Sequence, residues 1–146
     1  MNSQSSRSHL VFMITVRGQD KASGAVSTGI LTLCDLAGSE RVSKSGATGQ
    51  RLTEIAAINK SLSALGQVLA ALRSSQLHIP YRNSKLTHIL QLSLGGDAKA
   101  CLFVMLSPDE YNLSETMSTL QFGSNAQQVA LGQAKKNVTK GPPVAI

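Results

Sequence analysis

The stretch ILTLCDLAGSE, residues 30–40, decides the fold. Its first five residues are an apolar run typical of a short buried β-strand, and Asp35 ends that run. Gly38 follows three residues later and offers a backbone N–H with no side chain to block close approach. Open α/β sheets place phosphate chemistry just beyond the carboxyl ends of their strands. Alone, however, an Asp followed by a glycine turn is more often an ordinary strand end.

Three helix patterns follow this stretch. Apolar residues recur at steps of three and four from about residue 50 to residue 72, which predicts a long amphipathic helix. Helical spacing resumes at 84–94 and stops at two glycines. Asn112 and Glu115 match a capping box, which predicts the start of a helix that runs to about residue 129.

Strand patterns precede and separate these helices. Apolar runs predict strands at 10–16 and 101–106, and the Gly- and Ser-rich segment 17–29 predicts a loop. Cys34 and Cys101 each lie inside an apolar run, so we expect buried, reduced strand residues and a cytoplasmic protein. No charged-then-apolar leader pattern and no run of about 18 apolar residues is seen, so neither secretion nor a membrane span is expected. Strands separated by helices predict an α/β layered fold.

The charge of the chain is concentrated in its middle third. The formal net charge is +6, and the segment 41–88 carries all of this excess, since Glu54 is its only acidic residue. The basic residues of the segment are Arg41, Lys44, Arg51, Lys60, Arg73, Arg82 and Lys85. A segment whose charge is almost entirely positive attracts an acidic partner. Charge alone does not decide whether that partner is nucleic acid, an anionic membrane or an acidic protein surface. A solvated helix face is the alternative without a partner.

The residues before the first predicted strand narrow these alternatives. Residues 2–9 read NSQSSRSH and gather hydroxyl groups around one arginine, which suits contact with Mg²⁺ and phosphate oxygens. Together with DLAGSE at 35–40, they resemble the two nucleotide switches of the kinesin motor family, N-x-x-S-S-R-S-H and D-L-A-G-S-E. The resemblance covers about residues 1–131 and continues through INKSLSALG at 58–66, IPYRNSKLT at 79–87 and SLGG at 93–96. It implies a partial three-layer P-loop NTPase fold, comprising the C-terminal half of the central sheet with its flanking helices.

This resemblance implies an ATP and Mg²⁺ site in the complete motor. The Ser6 hydroxyl would bind Mg²⁺ directly, Asp35 would hold the metal through water, and Ser5 would help to order the catalytic water. Gly38 would donate its N–H to the γ-phosphate, and Arg7 and Glu40 would form a salt bridge between the switches. The implied nucleotide-contacting set is Asn2, Ser5, Ser6, Asp35 and Gly38.

The resemblance also gives the basic segment a partner, the microtubule. The residues implied to face acidic tubulin are Arg41, Lys44, Lys60, Tyr81, Arg82 and Lys85. Asn59 would pin the long helix to the core and relay the state of the switches. Nucleic acid is less favoured, because Tyr81 is the only aromatic residue of the segment. His88 stands where related motors often carry arginine, and His9 is assigned to packing rather than to metal binding.

One motif of the family does not occur in these residues. The pattern G-x-x-x-x-G-K-[ST], which supplies the phosphate-binding loop, is absent from the 146 residues. We therefore predict that the chain alone neither hydrolyses ATP nor behaves as a stable monomer, and that its partner is the upstream half of a motor domain. Residues 132–146 are expected to be a flexible tail. The segment VALGQAKKN at 129–137 resembles the end of C-terminal-motor kinesins.

Three functions remain open at this point. The first is part of an ATP-dependent motor on cytoplasmic microtubules. The second is a non-catalytic microtubule-binding module, and the third is a generic basic domain for nucleic acid or membrane, which the net charge alone supports.

Overall fold

The computed structural model describes residues 8–38 and 49–139. Two antiparallel strands, β1 (Leu10–Gln19) and β2 (Val26–Asp35), begin the described part of the chain. They pair without interruption, from Leu10 opposite Asp35 to Gln19 opposite Val26. The two predicted strands are confirmed, but the loop expected at 17–29 is confined to residues 20–25. The loop is short because the Asp20 carboxylate accepts hydrogen bonds from the Ala22 and Ser23 amides and from the Ser23 hydroxyl, which closes the turn tightly.

The long helix is α1 (Gln50–Arg73), in agreement with the prediction. Its buried face includes Ile55, Ile58, Leu65 and Val68, the last of which is fully buried. By length and composition alone, Leu52–Arg73 could cross a membrane, a test that the core helices of soluble proteins also pass. The packing of its buried face against other elements of the chain identifies α1 as a core helix.

The next helix, α2 (Lys85–Ile89), is shorter than predicted because it tightens into a 3₁₀ turn at Leu90–Leu92. A capping box begins it: the Thr87 amide donates to the Ser84 hydroxyl oxygen, and the Ser84 amide donates to the Thr87 hydroxyl oxygen, both at 3.1 Å. The Thr87 hydroxyl also donates to the Tyr81 carbonyl at 2.7 Å. These bonds fix the preceding 3₁₀ turn, Tyr81–Asn83, against α2.

Helix α3 (Leu113–Gln127) begins differently from the prediction. The capping box expected from Asn112 and Glu115 does not form, and Asn112 instead donates from its side chain to the Ser107 hydroxyl at 3.2 Å. Asp109 caps a 3₁₀ turn just before the helix by accepting from the Tyr111 amide at 3.0 Å. The 3₁₀ turn satisfies the first donors, which moves the cap three residues upstream.

The three helices share one core with the sheet. Leu65 and Leu69 of α1 pack against Leu86 and Leu90 at α2. Half-buried residues surround them, contributed by the strands, by α3 and by the connecting segments: Val11, Leu36, Leu94, Phe122, Ala126 and Val129. The sheet edge that carries Asp35 is therefore packed close to α1.

The prediction of a strand at 101–106 is wrong for the described residues, where this segment joins no sheet. A strand requires a hydrogen-bonded neighbour, and the described part of the chain offers none to this segment. Phe103 and Met105 are accordingly more than four-fifths exposed. The prediction that Cys34 and Cys101 are buried is also wrong, since both are exposed free thiols.

The end of the described chain adds a short third strand, β3 (Val138–Thr139), antiparallel to β2. The Thr28 amide donates to the Asn137 carbonyl at 3.0 Å, and the Thr139 hydroxyl donates to the Val26 carbonyl at 3.3 Å. Residues 137–139 of the predicted tail thus contact the outer edge of β2, and residues 140–146 lie outside the described residues, so the flexibility of the tail stays a prediction.

Candidate nucleotide-switch edge and basic surface

Half of the predicted site residues lie outside the described residues. These are Asn2, Ser5, Ser6, Arg7, Glu40, Arg41 and Lys44. The structure does place the others: Asp35, Gly38, Asn59, Lys60, Tyr81, Arg82 and Lys85.

The described ends of the two predicted switch segments, residues 8–9 and 35–38, lie at the same end of the strand pair. Leu10 begins β1 directly opposite Asp35, which ends β2. His9, directly before Leu10, and Ala37, two residues after Asp35, therefore lie side by side and are hydrogen-bonded to each other. Asp35 is exposed at this edge, and Gly38 is half-buried. An exposed carboxylate at a strand end fits the oxygen ligands that Mg²⁺ prefers.

His9 joins this edge to α1. The Ala37 amide donates to His9 Nδ1 at 3.0 Å, and His9 Nε2 lies 2.6 Å from the Ser61 hydroxyl oxygen on α1. The Ser61 hydroxyl donates in turn to the Ile58 carbonyl at 2.7 Å. Burial lowers the pKa of the His9 imidazole below its ordinary value.

Sequence reasoning assigned His9 only to packing and did not single out Ser61. The two residues are 52 positions apart, so no local spacing connects them. The sequence signal for this contact is a serine among the apolar positions of α1. A serine inside a helix is usually accounted for by a hydrogen bond from its hydroxyl to a backbone carbonyl of the preceding turn.

An exposed stripe runs along α1 on the side away from the core. Its members are Ala56, Lys60, Ser63, Gln67 and Ala70, and we refer to it as the α1 stripe. Lys60 and Gln67 are two turns apart on the same face, about 10.5 Å along the axis. The Asn83 side-chain amide donates to the Gln67 side-chain oxygen at 2.9 Å, which ties the Tyr81–Asn83 turn to this face. Asn59 is half-buried beside the stripe.

The turn and α2 carry the other predicted basic contacts. Arg82 and Lys85 are exposed, as is Lys60 on α1. The Tyr81 hydroxyl instead donates to the Leu94 carbonyl at 3.3 Å, and burial raises the pKa of this phenol. Tyr81 thus holds the turn in place, while the charged side chains around it face solvent.

A small cavity lies between α1 and α3. Its volume is about 60 Å³, and Gly66, Leu69, Arg73, Phe122 and Asn125 are among the residues that line it. Nucleotide pockets need several times that volume, about 300–1,000 Å³. Within residues 8–38 and 49–139, no group of three His, Cys, Asp or Glu side chains forms a metal site. The cavity between α1 and α3 is therefore too small to hold a nucleotide.

Comparison with known proteins agrees with this geometry. The sequence model of the kinesin motor domain family matches residues 1–129. The kinesin-like protein KIN-14K of Oryza sativa subsp. japonica is 55% identical over 137 residues, which are 94% of this chain and 14% of the rice protein.

Solved motor structures give the same result. The C-terminal motor and motor homology domain of Kar3Vik1 is similar with a TM-score of 0.78 and 51% identity, over 86% of this chain and 34% of that one. A KIF14 dimer, in its two-heads-bound state with AMP-PNP and a microtubule, has a TM-score of 0.78 and 40% identity. Their shared part is 88% of this chain and 38% of the KIF14 chain.

These likenesses confirm the α/β motor fold and the resemblance to C-terminal-motor kinesins. The chain spans about one-seventh of the rice relative and about one-third of the Kar3Vik1 chain. The pairing of Leu10 with Asp35 at one end of the strand pair, the long helix α1 beside it and a family match over residues 1–129 lead to one conclusion: the chain belongs to the kinesin motor domain family.

Proposed function

We propose that this chain is the nucleotide-switch and microtubule-binding part of an ATP-dependent microtubule motor. One observation carries the proposal: the pairing of Leu10 with Asp35 and the bond from Ala37 to His9 bring the ends of both switch segments together beside α1. In the complete protein, movement on cytoplasmic microtubules would follow from hydrolysis at this edge.

Each switch residue has a defined role in this proposal. Ser6 and Asp35 hold Mg²⁺, the latter through water, while Ser5 and Asn2 contact the nucleotide side of the site. The Gly38 N–H binds the γ-phosphate, because a glycine lets the backbone approach closely. A salt bridge between Arg7 and Glu40 closes the switches when the γ-phosphate is present. Mg²⁺ supplies charge neutralisation at the phosphates.

The basic surface is the proposed microtubule contact. Lys60 of the α1 stripe and Arg82 of the adjoining turn are exposed and joined through the bond from Asn83 to Gln67. With Lys85, and with Arg41 and Lys44 outside the described residues, they form a cationic surface suited to acidic tubulin. The KIF14 relative was solved on a microtubule, which supports this choice of partner over nucleic acid or a membrane.

Co-sedimentation with microtubules tests this surface. We expect the double substitution Arg82→Ala and Lys85→Ala to weaken binding by about tenfold or more, because each removes a charge from the contact. The matched control is Lys135→Ala with Lys136→Ala, which removes the same charge from the exposed tail. Equal binding by both double variants would contradict the assignment.

A non-catalytic microtubule-binding module is the second candidate. The exposed basic side chains of Lys60, Arg82 and Lys85 are compatible with it, because attraction to acidic tubulin requires positive charge and no hydrolysis. The exposed apolar residues favour instead an assembly with the upstream half, since patches of this kind mark protein contacts: Leu10, Phe12, Val16, Leu33, Phe103 and Met105.

Microtubule-stimulated ATP hydrolysis separates the two candidates. We expect no hydrolysis by the chain alone and stimulated hydrolysis when it is co-expressed with the upstream half of a KIN-14 motor domain. Hydrolysis by the purified chain alone would contradict the need for that half. Binding without hydrolysis in the assembly would favour the non-catalytic module.

A further inference from the structure

The hydrogen bonds around His9 form one continuous chain with a single direction. Because the Ala37 amide donates to Nδ1, the neutral ring must carry its proton on Nε2. Nε2 therefore donates to the Ser61 oxygen, 2.6 Å away. Ser61 then has its own proton free for the Ile58 carbonyl, at 2.7 Å. With these directions, the Ala37 amide, both nitrogens of the His9 ring and the Ser61 hydroxyl all have a hydrogen-bond partner.

The alternative protonation states of His9 conflict with this arrangement. A proton on Nδ1 would face the Ala37 N–H, so that two donors would oppose each other. Ala37 is only 5% exposed, so water cannot easily take over its amide. Leaving such a buried amide unpaired is costly.

The same series of hydrogen bonds connects the proposed phosphate-binding backbone with the proposed microtubule-binding face. Gly38, the proposed γ-phosphate donor, follows Ala37 directly. Lys60, on the α1 stripe, directly precedes Ser61. Two hydrogen bonds through one imidazole ring thus separate the phosphate-sensing backbone from the proposed microtubule face.

We propose that His9 is a positioning residue that fixes the register of α1 against the switch edge, and that it does so as the neutral Nε2–H tautomer bound to Ala37 and Ser61. In this role, neither His9 nor Ser61 contacts the nucleotide. The inference rests on the proposed function, because that function assigns phosphate binding to the backbone at Gly38 and microtubule binding to the α1 stripe.

Nitrogen NMR of the histidine-labelled chain, assembled with the unlabelled upstream half of a KIN-14 motor domain, tests the tautomer directly. For His9 at neutral pH we expect a pyridine-like Nδ1 and a pyrrole-like Nε2. The exposed His78 should show the averaged signals of a ring without fixed partners, and it serves as the internal reference. A pyrrole-like Nδ1 on His9, or averaged signals like those of His78, would overturn the proposal.

A second experiment tests whether the contact between His9 and Ser61 couples microtubule binding to ATP hydrolysis. It uses the chain co-expressed with the upstream half of a KIN-14 motor domain. We expect Ser61→Ala to lower the ratio of microtubule-stimulated to basal ATP hydrolysis about fivefold to tenfold, the value of one hydrogen bond. Ser61→Thr keeps the hydroxyl and should restore the ratio. His78→Gln should leave the ratio unchanged.

A double substitution distinguishes positioning from general destabilisation. His9→Asn removes the Nε2 donor, so adding Ser61→Ala should lower the ratio no further. Additive losses, or equal losses for Ser61→Ala and Ser61→Thr, would refute the coupling. If the unsubstituted assembly hydrolyses no ATP, the proposed function fails, while the NMR result still decides whether His9 holds its tautomer.

Discussion

At the residue scale, His9 gives the fold a dependence on pH. Its pKa is lowered below the ordinary value of 6.5 by burial, so the unfolded chain binds a proton that the folded chain does not. This contribution to stability is complete above pH 6.5 and is lost as the pH falls from there through the folded pKa. The charged residues adjacent to its partners, Asp35 and Lys60, are both exposed.

We therefore expect the free energy of unfolding to fall more steeply below pH 6.5 in the unsubstituted chain than in His9→Gln. Urea unfolding at several pH values, followed by circular dichroism at low protein concentration, measures the difference. His78→Gln controls for the loss of an exposed histidine. Parallel pH profiles for the unsubstituted chain and His9→Gln would contradict the expectation.

At the element scale, two helical glycines are predicted to respond oppositely to the same substitution. A Cβ added at Gly123 of α3 would lie 2.8 Å from Val104 Cγ2, whereas one at Gly66 of α1 would lie 3.9 Å from Phe122 Cε2. Gly66→Ala should stabilise the chain by about 0.5–1 kcal/mol, because alanine favours the helix. Gly123→Ala should be less stable than Gly66→Ala by about 1–3 kcal/mol, because it overpacks the contact with Val104.

Urea unfolding of both variants measures this difference. Combining Gly123→Ala with Val104→Ala removes the close contact, so the cost of adding the methyl group at Gly123 should largely disappear in a Val104→Ala background. Equal stabilities for Gly66→Ala and Gly123→Ala would show that Val104 moves aside without cost.

The elements also mark how far sequence reasoning reaches. Helix α1 was predicted to within one residue at each end, because its apolar period repeats over many turns. The apolar composition of 101–106 predicts a strand, yet strand formation depends on a neighbouring strand, which the composition of the segment does not show. The bond from His9 to Ser61 was missed for a related reason, since it joins residues 52 positions apart. Local patterns predict elements, while contacts between distant residues require the fold.

At the scale of the whole molecule, the exposed apolar residues predict how the chain behaves alone. Phe103 and Met105 are exposed on a segment that joins no sheet within the described residues, and such exposed apolar side chains favour association between chains. We expect the isolated chain to bind a hydrophobic dye and to scatter light, and co-expression with the upstream half to reduce both signals.

Substitutions locate this effect. Replacing Phe103 and Met105 by serine should reduce light scattering by the isolated chain and should also weaken assembly with the upstream half. Leu77→Ser is the control, because Leu77 is fully exposed and lies at a bend outside this segment. A monomeric, dye-free chain in analytical ultracentrifugation would contradict the expectation.

The strand β2 has a further consequence for the molecule. Asp35 stands at one end of this strand and Val26, which pairs with Thr139 of β3, stands at the other. Ten residues of strand span about 30 Å. Full pairing with β1 stiffens β2 along this whole length. A tilt of the strand at its Asp35 end would therefore displace its Val26 end, about 30 Å away, together with the residues of β3 that pair there.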